Sequence, residues 1–105
     1  MVELSAFQIP QEKIEAFCRK WKICEMALFG SVLREDFRED SDVDCLVTFG
    51  SDADWDLLDV IRAEEELAEL LGRPVDLVQR STVEKSENWI RRNHILKTAR
   101  TIYAR

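Results

Sequence analysis

Two short apolar runs in this chain are each interrupted by an aspartate, so any fold built from them must pair that charge or leave it in water. Val43-Asp44-Cys45-Leu46-Val47-Thr48-Phe49 and Val75-Asp76-Leu77-Val78 are rich in β-branched and apolar residues and read as strands. A lone carboxylate inside such a strand is costly to desolvate, and Asp44 and Asp76 therefore each ask for a cation. Asp42 stands two residues before Asp44, and because side chains alternate along a strand the two leave the same face, about 7 Å apart along the backbone. One metal or two fit between them. Ion pairs of Asp44 with Arg34 or Arg38, and of Asp76 with Arg73, are the simpler alternative, and ion pairing and ligation can coexist in one site.

Upstream of these acids, Met26-Ala27-Leu28-Phe29 is a third apolar strand, closed by Gly30-Ser31. The residues from Val32 to Asp36 are expected to start a helix with Ser31 near its N-cap. A glycine there lets the backbone approach a ligand. The free N–H groups of a helix start favour an anion, and the Ser31 hydroxyl adds one donor, so a triphosphate suits the turn. Gly-Ser alone most often marks an ordinary turn. Its weight comes from the aspartates ten residues later. If the strand of Asp76 pairs beside that of Asp42 and Asp44, three carboxylates converge near Gly30-Ser31. That is enough to hold two Mg²⁺ ions whose shells are completed by triphosphate oxygens.

The remaining sequence predicts an alternating α-β-α-β-α-β-α order in one domain, residues 1–105, with no repeat or linker dividing it. Ile9-Pro10 opens a helix to about Trp21, with Ile14, Phe17, Cys18 and Trp21 on one apolar stripe. The acids of Ser51-Asp52-Ala53-Asp54 suit the first turn of a long helix whose inward face is Leu57, Leu58, Ile61, Ala68 and Leu71. Glu64, Glu65, Glu66 and Glu69 form its solvated face. Gly72-Arg73-Pro74 ends it. A last helix starts at Ser86 or Asn88 and carries Trp89, Ile90, Ile95, Leu96 and Ile102, with Trp89 expected in the core. His94 lacks cysteine or carboxylate neighbours at ligand spacing and is given no chemistry. Cys18, Cys24 and Cys45 are odd in number and unpaired in spacing, and read as core thiols.

Composition narrows the function. The net charge of −6 argues against direct binding of nucleic acid. It is unevenly spread, for residues 1–79 carry 19 acids against 8 Lys and Arg, whereas 80–105 carry 2 acids against 7 bases. That basic segment can meet a nucleotide, an acidic partner or the protein's own acidic helix, or simply be a solvated face. No apolar stretch is long enough to span a bilayer, and Met1-Val2-Glu3-Leu4-Ser5 lacks the pattern of a secretory signal, which points to the cytoplasm. A Ser-His-Asp hydrolase set is not recognisable.

Gly30-Ser31, the ten-residue gap, Ser41-Asp42-Val43-Asp44 and Val75-Asp76-Leu77-Val78 together resemble the minimal nucleotidyltransferases of the DNA polymerase β superfamily. Leu28 to Arg34, and Asp36-Phe37-Arg38 before Ser41-Asp42, resemble one common version of the motif. Ala99 to Ala104 resembles the helical end of these proteins. The resemblance implies an α/β (α+β) fold in which a small mixed sheet packs against helices. It implies that Gly30, Ser31, Arg34 and Ser41 bind nucleotide and that Asp42, Asp44 and Asp76 are the catalytic, metal-holding acids. Many relatives place Gly after the arginine, where this chain has Glu35-Asp36. The implied activity is Mg²⁺-dependent transfer of AMP from ATP to a hydroxyl, with release of pyrophosphate. The chain has no evident second domain to bind an acceptor, so a partner is implied, and the family pairs such enzymes with HEPN-type helical toxins that they adenylylate on tyrosine. The expected role is that of the antitoxin, as a homo-oligomer or hetero-oligomer. A subunit that modifies a small molecule such as an aminoglycoside, or a non-catalytic module that neutralises its partner by contact, are the alternatives.

Overall fold

The computed structural model describes residues 2–4, 7–33 and 42–105; Arg34, Glu35, Asp36, Arg38 and Ser41 lie outside the described residues. Strands β1 (Val2–Leu4) and β2 (Phe7–Ile9) form a two-stranded antiparallel ribbon ahead of helix α1 (Gln11–Lys20). The ribbon was not anticipated from sequence. Helix α1 starts after Pro10, whose fixed φ and missing N–H cost nothing at a helix entrance, and it buries Ile14, Phe17 and Cys18 as the spacing predicts.

A four-stranded mixed sheet follows, built from β3 (Ile23–Phe29), β4 (Val43–Phe49), β5 (Val75–Gln79) and β6 (Arg100–Ala104) in the order β5-β4-β3-β6. Strands β3 and β4 are antiparallel, β4 and β5 are parallel, and helix α2 (Leu57–Leu71) makes the crossover that a parallel pair requires. Because β3 and β4 are covered on both faces, their side chains divide by parity. Met26, Leu28, Val43, Cys45 and Val47 pack with Ile14 and Phe17 of α1 and with Ala63 and Leu67 of α2. Ala27, Phe29 and Leu46 pack on the opposite side with Val83 of α3 (Arg80–Glu84) and Ile95 of α4 (Trp89–Thr98). The sheet is thus a middle layer between α1 with α2 and α3 with α4.

Three expectations are corrected. The chain after Ala99 is not helical, since β6 pairs antiparallel with β3 and buries Ile102. Thr101, Ile102 and Tyr103 are β-branched or aromatic and complete a sheet edge better than a helix turn. Gln11 Nε2 donates to the Ile102 carbonyl over 3.1 Å and ties this strand to α1. Trp89 is not in the core, being 61% exposed at the start of α4. On α2, Leu57 and Leu58 are 74% and 63% exposed, and Ile61 is also exposed. The inward stripe is Ala63 and Leu67, flanked by Val60, Leu70 and Leu71. Apolar residues occur on two sides of this helix, and only one side can meet the sheet. The helix begins at Leu57 with Asp56 as its N-cap, four residues past Asp52, in a reciprocal capping box with Asp59.

The glutamates of α2 are not all solvated either. Glu64 accepts the backbone N–H of Leu77 over 2.8 Å, fixing α2 against β5. Glu66 accepts from the Trp21 indole over 2.6 Å and pairs with Lys20, while the Trp55 indole donates to the Trp21 carbonyl over 2.7 Å. The two tryptophan rings meet edge to face with centroids 5.2 Å apart. These bonds hold the end of α1, the loop before α2 and α2 itself together. The Lys20 and Trp21 donors keep the Glu66 carboxyl below its ordinary value of 4.5. A lowered folded-state value means that Glu66 stabilises the fold fully above its unfolded value and stops doing so as pH falls through the folded value. Glu66→Gln is therefore expected to lower the denaturation midpoint at pH 7 and to shrink the further loss expected of wild type as pH falls below the ordinary carboxylate value of 4.5. Urea titrations from pH 7 to below that value check it; parallel stability curves for the two proteins would contradict it.

Candidate active site

Parity along the strands decides where the three aspartates lie. Cys45 and Leu77 face the α1 and α2 side, so Asp44 and Asp76, one residue earlier on each strand, face the α3 and α4 side. In the parallel ladder Asp44 is the register partner of Asp76, and Val43 pairs with Val75. The Val43 N–H donates to the Pro74 carbonyl over 2.9 Å, extending the pairing to the very start of both strands. Two carboxylates are thereby brought side by side at one end of the sheet. Asp42 immediately precedes β4 and is exposed, as is Asp76, while Asp44 is half-buried. Among the described residues no three acidic, histidine or cysteine side chains gather closely enough to share one ion.

Antiparallel pairing with β3 places Phe29 opposite Asp44, so the turn at the end of β3 arrives beside the same carboxylate. Gly30 has φ +77°, a conformation that side chains disfavour, and opens a 3₁₀ turn, Gly30–Leu33, while the rest of the helix expected from Val32 to Asp36 lies outside the described residues. Ser31 is the second residue of that turn, not its cap. A Cβ on Gly30 would overlap the Asp44 carboxylate, whose carbon would lie only 3.2 Å away. The glycine is needed twice here, for its backbone angle and for the space Asp44 occupies.

Opposite this turn stands α4, capped by the Asn88 side chain, which accepts the Arg91 N–H over 3.2 Å. A groove of about 700 Å³ runs between them, lined by Phe29, Gly30, Asp44, Arg91, His94 and Ile95. Leu33 and Thr98 complete its walls. Sequence reading gave His94 no role and left Arg91 within a general basic segment. The spacing of Arg91, His94, Ile95 and Thr98 along one helical face was the available signal, but only the pairing of β3 with β4 shows what that face looks at.

Cys45, buried directly behind Asp44, registers the charge of the site. Its thiol is pushed well above the ordinary value, first by burial and next by Asp44, with Cys18, Asp76 and Glu64 contributing further. Cys18 is pushed up to about 12 by burial and by Glu15. Both are inert core thiols, as the sequence implies, and Cys24 is free but only half-buried. No helix among the described residues is long and apolar enough to cross a membrane.

Comparison with known proteins agrees with this geometry. Residues 11–102 match the nucleotidyltransferase domain family. Over 64 residues the chain is 44% identical to the protein adenylyltransferase MntA of Thermococcus cleftensis, covering 61% of this chain and 63% of that protein's length. A solved structure assigned to a minimal nucleotidyltransferase is 34% identical, covers 85% of each chain and superposes with a TM-score of 0.64. The complex of a tri-AMPylated HEPN toxin of Shewanella oneidensis with its MNT antitoxin gives a TM-score of 0.60 at 21% identity, covering 90% of this chain and 70% of that one, a likeness of fold. The mixed sheet, the glycine turn and the paired aspartates thus sit in a chain that belongs to the nucleotidyltransferase domain family, among its minimal members.

Proposed function

We propose that this chain transfers AMP from ATP to a tyrosine hydroxyl of a small helical HEPN-type toxin, acting as the antitoxin of the pair. The observation that carries the proposal is the register of Asp44 on Asp76 across β4 and β5, with Asp44 lying against Gly30. Likeness to a protein adenylyltransferase and to an antitoxin bound to an AMPylated toxin supports the choice of group and acceptor.

The donor chemistry fits a divalent cation. Carboxylate oxygens are hard ligands suited to Mg²⁺, which keeps several waters and needs only one or two carboxylates together with phosphate oxygens. Asp42, Asp44 and Asp76 are the carboxylates from which one or two such ions would draw their ligands, with Asp44 and Asp76 adjacent in register. Bound there, Mg²⁺ would neutralise triphosphate charge and lower the proton affinity of the incoming hydroxyl.

The chain's own groups supply the rest. The backbone at Gly30 carries no side chain and can approach phosphate oxygens closely, with Ser31 and, by resemblance, Arg34 and Ser41 as further ligands. Asp76, at the exposed start of β5, takes the proton from the acceptor hydroxyl. The acceptor oxygen then forms a bond to the α-phosphorus, the bond from that phosphorus to the bridging oxygen breaks, and pyrophosphate leaves with the electron pair.

Incubation of the chain with α-labelled ATP, Mg²⁺ and its HEPN-type partner is expected to label the partner, and EDTA to stop it. Asp42→Asn is expected to reduce labelling on the order of a hundredfold or more while leaving the thermal midpoint near wild type. Label on a small molecule in place of the protein, no label at all, or full labelling by Asp42→Asn would each overturn the proposal.

Two glycines with similar backbone angles separate strain from site chemistry. Gly30 and Gly72 have φ +77° and +68°, but a Cβ on Gly72 meets nothing within 4 Å. Alanine at either position is expected to cost roughly 1–2 kcal/mol in backbone strain. Only Gly30→Ala is expected to lose transfer as well, because its new methyl displaces Asp44. Denaturant titration and labelling of both variants check this, and a fully active Gly30→Ala protein would contradict it.

A further inference from the structure

We infer that α4 forms the nucleotide-holding wall of the groove, with Arg91 binding the phosphate oxygens and His94 packing on the nucleoside. The inference rests on reading the groove as a nucleotide site and goes beyond it by assigning two ligands outside the glycine turn and the aspartates.

Charge is the first argument. A triphosphate brought beside Asp42, Asp44 and Asp76, in a chain of net charge −6, meets strong repulsion unless cations face it. The guanidinium of Arg91 lines the same groove as Gly30 and Asp44, and among the described residues it makes no ion pair and no side-chain hydrogen bond. It differs in this from Arg80, which is held by Glu25 and Glu84, and from Arg92, which donates to the Ser86 carbonyl over 2.9 Å. A planar, uncommitted guanidinium is well matched to phosphate.

The second argument is the groove's character. Phe29, Leu33 and Ile95 add apolar lining to the groove, and the ring of His94 stands one turn along α4 from Arg91. Flat apolar surfaces with an aromatic ring suit a purine. Thr98 also lines the groove, but its hydroxyl donates to the His94 carbonyl over 2.6 Å, so Arg91 and His94 are the polar side chains α4 offers to a ligand.

The test is equilibrium binding of a fluorescent non-hydrolysable ATP analogue with Mg²⁺, and of adenosine, to the full chain and its variants. Arg91→Ala is expected to weaken the analogue about tenfold or more and leave adenosine unchanged, with Arg91→Lys intermediate. His94→Ala is expected to weaken both ligands severalfold. Lys97→Ala, a cation on the same helix outside the groove, should bind like wild type. Circular dichroism confirms folding. Wild-type affinity in Arg91→Ala overturns the inference alone. A wild-type chain that binds no nucleotide overturns both the inference and the nucleotidyltransfer reading. Arg91-dependent binding in a chain that labels no partner sustains the inference and overturns the proposed transfer to that partner.

Discussion

The parallel pairing of β4 with β5 is the constraint on which the site depends. Aspartates separated by 31 residues of chain become register neighbours because Val43 aligns with Val75, and the Val43 N–H bonded to the Pro74 carbonyl fixes that alignment at the strand starts. A slip of one residue would send Asp76 to the α1 and α2 side and Leu77 to the groove. The apolar alternation of both strands opposes that slip, so the same burial that stabilises the sheet sets the register of the two aspartates.

Helix α2 reinforces the alignment from outside the site. Glu64 grips the Leu77 N–H directly beside Asp76, and the Glu66, Lys20, Trp21 and Trp55 cluster fastens α2 to α1. Several of the chain's acids thus serve as internal fasteners on one side of the sheet. On the other side Asp44 lines the groove. This division lets a strongly acidic chain present a basic helix, α4, across from its aspartates.

Much of this was legible in the sequence where local pattern and tertiary demand agree. The strands carrying Asp44 and Asp76 were identifiable because an acid inside a short apolar run has few structural explanations, and α1 because its stripe has one unambiguous side. The reading failed where a segment had two apolar sides or depended on a distant partner. Leu57, Leu58 and Ile61 have the spacing of a core stripe but lie off the sheet, and Ile102-Tyr103 became an edge strand only because β3 had a free edge to complete. His94 and Arg91 carry no motif. Their place in the groove follows from the packing of α4 on Phe29, which no local spacing records.

Backbone amide spectra recorded while Mn²⁺ and a non-hydrolysable ATP analogue are added test the central claim most directly. The account predicts that paramagnetic broadening begins at Gly30, Ser31, Asp42, Asp44 and Asp76 and spreads next to Arg91 and His94. Broadening centred on the α2 acids Glu65 and Glu69, or no selective broadening, would contradict it.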